Sequence, residues 1–360
     1  PGMIGRSTQH KGKRGPGYNI VKVKGSTITF SERVAEPEIT DKPWFTLRMS
    51  EGKPFKTNIE YPRPDFAMNE NWPEVKQVWR RADNTDIGAA AVQSGKYVVY
   101  ANTSGTVYAL DAATGNELWK YKTGGKIFST PAVYGNGDGA SVIIGSCDTY
   151  VYSLNIKTGK VNWKYKCNKS VLGSPTVYGG KVYIGASDHT FRALNAKTGK
   201  LVWENKDVKG FIEAKPFVDN QQVVIGDWAN RLYSFNPSNG KLQWEWQVKG
   251  SRMLSPAAVW PIKANGNIIF ATPERGTYGL NAKTGKQLWR IRGGRESAGL
   301  SPDGQHYYVK VMKDSVYAYS TKMVAVASQM QKMKMGLFLS KSESVTQNSE
   351  GFARIHFIVI

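Results

Sequence analysis

Histidine and cysteine are the first side chains to examine, because imidazole and thiolate groups bind metals and act as catalytic groups in many enzymes. The 360-residue chain has four histidines, scattered at His10, His189, His306 and His356. We find no spacing typical of a metal site, no Ser/His/Asp set and no glycine-rich phosphate loop. The sequence therefore predicts neither a metal site nor a catalytic site within this chain.

Charged and aromatic residues form a second candidate set, because they recur just before successive extended segments. The set consists of Lys126, Phe128, Phe211, Glu213, Lys215, Arg252, Arg295 and Glu296. Brought to one place, these residues would line a mouth of net positive charge, which we expect to bind an anionic group of a ligand, glycan or partner. The alternative is a solvated rim that binds nothing. The elements that position these residues decide whether they meet.

An eleven-residue motif supplies those elements. It reads Ala109-Leu-Asp-Ala-Ala-Thr-Gly-Asn-Glu-Leu-Trp119, and it recurs at Ser153–Trp163, Ala193–Trp203, Ser234–Trp244 and Gly279–Trp289. Trp79 resembles the tail of an earlier copy. The six tryptophans that we assign to the repeat are Trp79, Trp119, Trp163, Trp203, Trp244 and Trp289. A period of about 40 residues indicates a repeat architecture.

Each repeat reads as four short strands. Runs rich in β-branched residues are separated by Gly, Asn and Asp, and four strands in about 40 residues are typical of a propeller blade. A pair of helices per repeat is excluded because Gly or Pro interrupts nearly every run. Gly159 supplies the positive φ of a tight turn, Asn155 hydrogen-bonds that turn, and Trp163 offers a large face for burial between blades.

This motif resembles the tryptophan-docking motif of PQQ-like β-propellers. The resemblance implies an all-β fold, a PQQ-like β-propeller of four-stranded blades preceded by a short β segment. About six blades are represented here, whereas related propellers have seven or eight. The superfamily includes quinoprotein dehydrogenases and the propeller lipoprotein of the outer-membrane barrel-assembly machinery. PQQ itself is disfavoured, because the chain lacks the vicinal cysteine pair and because Asp148, Asp188 and Asp227 fall in equivalent turns of separate blades.

Residues 1–50 do not follow the repeat. They contain the run Pro1-Gly-Met-Ile-Gly-Arg-Ser-Thr8, followed by Gly17-Tyr-Asn-Ile-Val21. These two runs resemble the end of a bacterial calcineurin-like metallophosphoesterase, whose secreted members carry a PQQ-like propeller behind the enzyme domain. The resemblance implies a parent hydrolase with a two-metal site in an upstream domain, and a periplasmic or extracellular location. Two strands are expected around Lys24-Gly25-Ser26.

The remaining boundaries follow from composition. Residues 51–73 are expected to form an ordered linker, residues 74–320 the propeller, and residues 321–360 a degenerate or disordered tail. The segment Glu74–Arg80 is predicted to be a leading outer strand that completes the last blade. Cys147 and Cys167 are predicted to be free thiols, because they end strands about 10 Å apart and a disulfide needs Cα atoms within about 7 Å.

The formal net charge is +21. Many lysines fall in the repeated turns, which argues against nucleic acid as the partner and favours a solvated surface, an acidic glycan or an anionic envelope surface. The sequence has no apolar run of 18 residues. Three hypotheses follow: a non-catalytic binding propeller attached to a phosphoesterase, an envelope assembly scaffold, and, least favoured, a quinoprotein dehydrogenase.

Overall fold

A computed structural model describes residues 17–34, 45–48, 76–83, 85–248, 256, 259–273, 276–294, 298–310 and 316–321. The chain divides into two compact units, Pro1–Lys76 and Gln77–Ile360. The first unit contains a three-stranded antiparallel sheet of β1 (Gly17–Lys24), β2 (Thr27–Val34) and β3 (Phe45–Arg48). Gly25 has a φ of +58° in the turn between β1 and β2, so the predicted hairpin is confirmed.

The described residues of the second unit form six antiparallel sheets, each made of strands that are consecutive in the chain. Blade one comprises β4 (Val92–Ser94), β5 (Tyr97–Ala101), β6 (Thr106–Asp111) and β7 (Glu117–Lys122). Blade two comprises β8 (Ala132–Tyr134), β9 (Ser141–Gly145), β10 (Tyr150–Asn155) and β11 (Val161–Lys166). Blade three comprises β12 (Thr176–Tyr178), β13 (Lys181–Gly185), β14 (Phe191–Asn195) and β15 (Leu201–Asn205). Blade four comprises β16 (Phe217–Val218), β17 (Val223–Gly226), β18 (Arg231–Phe235) and β19 (Leu242–Gln247). Blade five comprises β20 (Ile262–Ala264), β21 (Asn267–Thr272), β22 (Gly276–Asn281) and β23 (Gln287–Arg292). The described strands of blade six are β24 (Ala298–Leu300), β25 (His306–Lys310) and β26 (Val316–Ser320). A 3₁₀ turn, Gly137–Gly139, lies between β8 and β9. The predicted all-β propeller of four-stranded blades is thus confirmed.

The core lies between blades because the side chains of a strand alternate between its two faces. In β9, Val142 and Ile144 pack with Val99 of blade one, whereas Ile143 packs with Val182 of blade three. The same division recurs in β17 and β21. The second strands of blades two to five therefore contribute to two cores each, which explains why consecutive central residues of these strands are apolar.

In blades one to four, a tryptophan of the outer strand docks on the next blade. The ring of Trp163 lies against Gly199, and its indole Nε1 donates a hydrogen bond to the carbonyl of Ala196 at 3.1 Å. A small residue, Ser153, stands opposite Trp163 across the strand pair, so the ring has room beside its own blade. The equivalent indole donors and carbonyl acceptors are Trp79 to Ala112, Trp119 to Ile156, Trp203 to Pro237 and Trp244 to Ala282.

Trp289 departs from this pattern. Its indole N–H is buried without a hydrogen-bond partner among the described residues, and its ring lies so close to Gly279 of its own blade that a Cβ there would fall 1.9 Å from the ring. The sequence supplies a reason, because Val324 stands where the other copies place the turn glycine. The predicted degenerate tail, residues 321–360, lies outside the described residues except for Thr321.

The predicted leading strand is wrong over its described part. Residues 76–83 form no strand, and the described part of blade six has three strands. The physical reason lies in Trp79, whose ring lies against Gly115 and whose Nε1 bonds Ala112 at 2.9 Å. The side chain holds this segment against blade one without backbone pairing. The first inner strand is also later than the expected Gly88–Val92, because β4 covers Val92–Ser94.

Candidate functional site

The segments that enter the inner strands meet around one cavity. Ile127, Val171 and Ile212 occupy equivalent places in three blades, and each is fully buried. The side chains that follow them point the opposite way, as extended backbone requires, and line a cavity of about 420 Å³. Its lining comes from five blades: Ile87, Gly88, Ala89, Ala90, Phe128, Thr130, Leu172, Ser174, Glu213 and Trp260. This volume falls in the range of small-ligand pockets.

Hydroxyl groups connect the blades along the wall of the cavity. The amide of Ala90 donates to Thr130 Oγ1 at 3.2 Å, and the amide of Thr130 donates to Ser174 Oγ at 2.9 Å. Backbone donors near the cavity are thereby satisfied by the neighbouring blade. These hydrogen bonds fix the backbone along the cavity, so the lining side chains that differ from blade to blade are held on a rigid frame.

Glu213 is the carboxylate of the described lining, and a tryptophan orients it. Trp228 Nε1 donates to Glu213 Oε2 at 2.9 Å, and the Trp228 ring stacks on Phe211 with 5.4 Å between centroids. The indole uses one carboxylate oxygen. The second oxygen has room to accept from a bound group, because Glu213 borders the cavity. Phe211 and Trp228 thus hold Glu213 in place from outside the lining of the cavity.

Lys215 follows Glu213 by two residues in the segment that leads into the inner strand β16. Its ammonium stands 5.2 Å from the centroid of the Trp260 ring, and burial lowers the pKa of Lys215 from its ordinary value. The ring face offers the cation partial compensation for lost hydration. Lys215 therefore acts on the cavity through Trp260, which lines it.

A repeated backbone bond forms the rim of the mouth. The amides of Cys147 and Trp228 donate to the carbonyls of Lys126 and Phe211 at 2.8 and 3.1 Å. The Lys126 side chain is exposed on this rim. Cys147 is half-buried there and Cys167 is buried; both are free, as predicted.

The structure thus brings together part of the predicted set. Phe128 and Glu213 line the cavity, and Lys126 stands on the rim. Lys215 lies over the ring of Trp260, which lines the cavity, whereas Phe211 stacks on Trp228, the hydrogen-bond donor to Glu213. The remaining members, Arg252, Arg295 and Glu296, lie outside the described residues. The expected net positive charge of the mouth therefore stays a prediction.

The sequence reasoning missed Trp228 and Trp260. Both tryptophans fall outside the docking position of the repeat, and this position could have indicated a role at the site. A large aromatic residue that does not dock between blades needs a different packing partner or a ligand. Trp228 occupies the turn after the second strand, where Cys147 and Ser187 stand in the preceding blades. Its alignment with those smaller residues becomes evident only from the hydrogen bonds.

The three aspartates named above act in separate turns. Asp148 accepts from the amides of Gly124 and Tyr150, and Asp227 accepts from those of Gly210 and Ala229. Asp188 receives two hydrogen bonds from buried Arg192; burial alone would raise the pKa of its carboxyl, but Arg192 holds it below the ordinary value.

Asp227 stands two residues earlier in its turn than Asp148 and Asp188 do in theirs. Within the described part of the chain, no three His, Cys, Asp or Glu side chains group closely enough to hold a metal ion. In the same residues, no helix has the length and apolar character needed to cross a membrane.

Comparison with known proteins places this geometry in a family. The family model described as outer membrane protein assembly factor BamB matches residues 73–137, 136–253 and 207–332, more than two thirds of the chain. The crystal structure of BamB from Moraxella catarrhalis superposes with a TM-score of 0.55 at 20% identity, over 67% of this chain and 76% of that one.

Two further relatives carry enzyme names. The quinohemoprotein alcohol dehydrogenase ADHIIG from Pseudomonas putida HK5 is similar with a TM-score of 0.53 at 16% identity, over 64% of this chain and 52% of that one. Tetrathionate hydrolase of Acidithiobacillus ferrooxidans is 32% identical over 91 residues, 24% of this chain, and the chain spans only 17% of that relative. At these identities the structural likenesses establish the fold.

Proposed function

This chain belongs to the PQQ-like repeat family of the outer membrane protein assembly factor BamB, and we propose that it is a non-catalytic binding scaffold of the cell envelope. The cavity at the mouth carries this proposal, because five blades contribute side chains to it. A periplasmic or extracellular location is part of the proposal and is supported by the family.

The described lining favours a polypeptide segment as the ligand. Phe128, Leu172 and Trp260 offer apolar surface, and the half-engaged carboxylate of Glu213 accepts hydrogen bonds. An apolar side chain next to a basic group or a free amide matches this combination. The anionic ligand expected from the sequence would require positive charge at the mouth to outweigh Glu213, and exposed Lys126 on the rim is a described source of such charge.

Peptide selection followed by substitution tests the proposal. Peptides selected from a random library on the full chain should combine apolar and basic residues, and Phe128→Ser should weaken their binding about tenfold or more. Phe128 is 40% exposed, so its loss leaves the core intact. Glu213→Gln should remove the preference for a basic residue.

The control is Leu118→Ser, which removes a similarly exposed apolar side chain from outer strand β7. Equal binding by the Phe128 variant and the control would refute the peptide site. Selective binding of phosphorylated or acidic glycans, with no peptide enriched, would reassign the mouth to anions.

A second proposal concerns the parent protein. We propose that the chain is joined to a calcineurin-like phosphoesterase, as the resemblance of residues 1–35 implies; the β1–β2 hairpin supports an ordered segment there. Sequencing the complete reading frame tests this link. Upstream Asp, Asn and His metal motifs would support it, and a lipoprotein signal followed directly by blades would refute it.

A further inference from the structure

The end of the propeller opposite the mouth has a different chemistry. In an antiparallel four-stranded blade, the turns between strands one and two and between strands three and four lie at the same end. The mouth lies at the other end, where the inner strands begin and where the turns between strands two and three lie. The repeated turns between strands three and four, which end in Thr-Gly or Asn-Gly, therefore all lie at the end away from the mouth.

Lysines accumulate at this far end in blades two to five. The turns between strands three and four carry Lys157, Lys160, Lys197, Lys200, Lys241, Lys283 and Lys286. Lys157 pairs with Asp138 at 3.0 Å, whereas the other six have no ion pair in the described part of the chain. Nearby acids are already engaged, since Asp219 pairs with Lys263 at 2.6 Å. The six lysines therefore present uncompensated positive charge.

Exposed apolar side chains stand beside these lysines. Val161, Leu201 and Leu242 each follow directly after a turn lysine at the start of an outer strand, and they are 40%, 43% and 45% exposed. The corresponding residue of blade five is Gln287, so the fold does not require an apolar residue here. We define the lysine face as the six unpaired lysines together with Val161, Leu201 and Leu242.

We propose that the lysine face docks on an anionic lipid surface. Cations that attract charged headgroups, next to apolar side chains that enter the interface, are the combination by which proteins lie on membranes. A purely solvated surface would explain the lysines but not the apolar neighbour in three consecutive blades. Docking in this way would turn the mouth away from the lipid, where a partner could reach it. The proposal does not depend on what the mouth binds.

Vesicle co-sedimentation of the full chain tests this docking. Binding is expected to vesicles that contain phosphatidylglycerol and not to phosphatidylcholine alone, and it should fall as salt rises above about 0.1 M. Lys160→Asn, Lys200→Asn, Lys241→Asn and Lys286→Asn are combined in one variant, since blade one has Asn116 at this position. Each lysine near such a surface contributes roughly fivefold to binding, so the loss of all four should weaken binding by roughly several hundredfold.

The matched control removes the same charge from the mouth end. It combines Lys122→Asn, Lys166→Asn, Lys169→Asn and Lys209→Asn, all at exposed positions. Equal loss in the two variants would assign binding to net charge and overturn the proposal, as would failure to bind the anionic vesicles.

Two further measurements complete the test. Leu201→Gln with Leu242→Gln should leave the salt dependence unchanged and weaken binding at every salt concentration; unchanged binding would refute the apolar contribution. Displacement of the protein from vesicles by short duplex DNA at matched phosphate concentration would reassign the face to nucleic acid. Thermal melting of each variant confirms that its fold is retained.

Discussion

The turn glycine under each docked tryptophan offers a direct test of how the blades are joined. Gly199 has a φ of +70°, and a Cβ added there would lie 2.6 Å from ring atoms of Trp163. Gly179, in the turn before β13, has a φ of +55°, and no atom of the described residues lies within 4 Å of a Cβ added there. Both glycines have a left-handed backbone conformation, but only Gly199 lies against a tryptophan ring.

The expected losses of stability differ accordingly. Left-handed backbone costs a non-glycine residue about 1–2 kcal/mol, so Gly179→Ala should cost about that much. Gly199→Ala adds the forced displacement of a buried ring, about 1–3 kcal/mol for overpacking, which gives a total of about 2–5 kcal/mol. The effect of alanine on the unfolded chain is the same at both sites and cancels from the difference.

Urea unfolding followed by tryptophan fluorescence measures both free energies. A double-mutant cycle adds Gly199→Ala in a Trp163→Ala background. There its loss of unfolding free energy should fall to that of Gly179→Ala, because the clashing ring is gone. Equal losses for the two single glycine variants, or no change of the Gly199→Ala cost without the ring, would refute the contact as the basis of docking.

Other measurements address single blades and sites. Trp163→Ala should cost about 3–5 kcal/mol of unfolding free energy, and a loss below roughly 0.5 kcal/mol would contradict its role. Because Arg192 lowers the folded pKa of Asp188, the pair stabilises the fold above pH 3.8, and that contribution should disappear as pH falls through the folded pKa. Acid unfolding of Asp188→Asn should lack this component; an identical pH profile would contradict it. Cys147 should react with a thiol reagent in the native protein, whereas Cys167, whose pKa burial raises to about 11, should react only after unfolding.

The blade architecture could be predicted because its determinants are local. The turn needs Asn155 at its entrance and Gly159 at a φ of +67°, only four residues apart. The tryptophan follows at a fixed distance, and its acceptor lies in the same kind of turn one repeat later. Each of these requirements restricts residue type within a short window. Repetition then multiplies a weak local signal into a reliable one.

The mouth could be predicted only in outline. Its position follows from the topology, which brings the entry segments together, but Trp228 and Trp260 reach Glu213 and Lys215 through contacts that no repeat specifies. The predicted strand at Glu74–Arg80 failed for the opposite reason. The tryptophan contact that the motif specifies needs only the Trp79 side chain and the turn of blade one, so the motif did not by itself require backbone pairing.

The repeats themselves indicate where specificity resides. At the far end, five blades use the same turn, with Thr or Asn before the glycine and a tryptophan four residues after it. At the mouth, equivalent positions differ in kind: Phe128, Leu172 and Glu213 face the cavity from successive blades. Docking fixes residue type in every copy because each interface has the same geometry to satisfy. The mouth positions vary from apolar to acidic because they take no part in packing one blade against the next. Different side chains on an otherwise uniform frame are suited to recognising an asymmetric ligand.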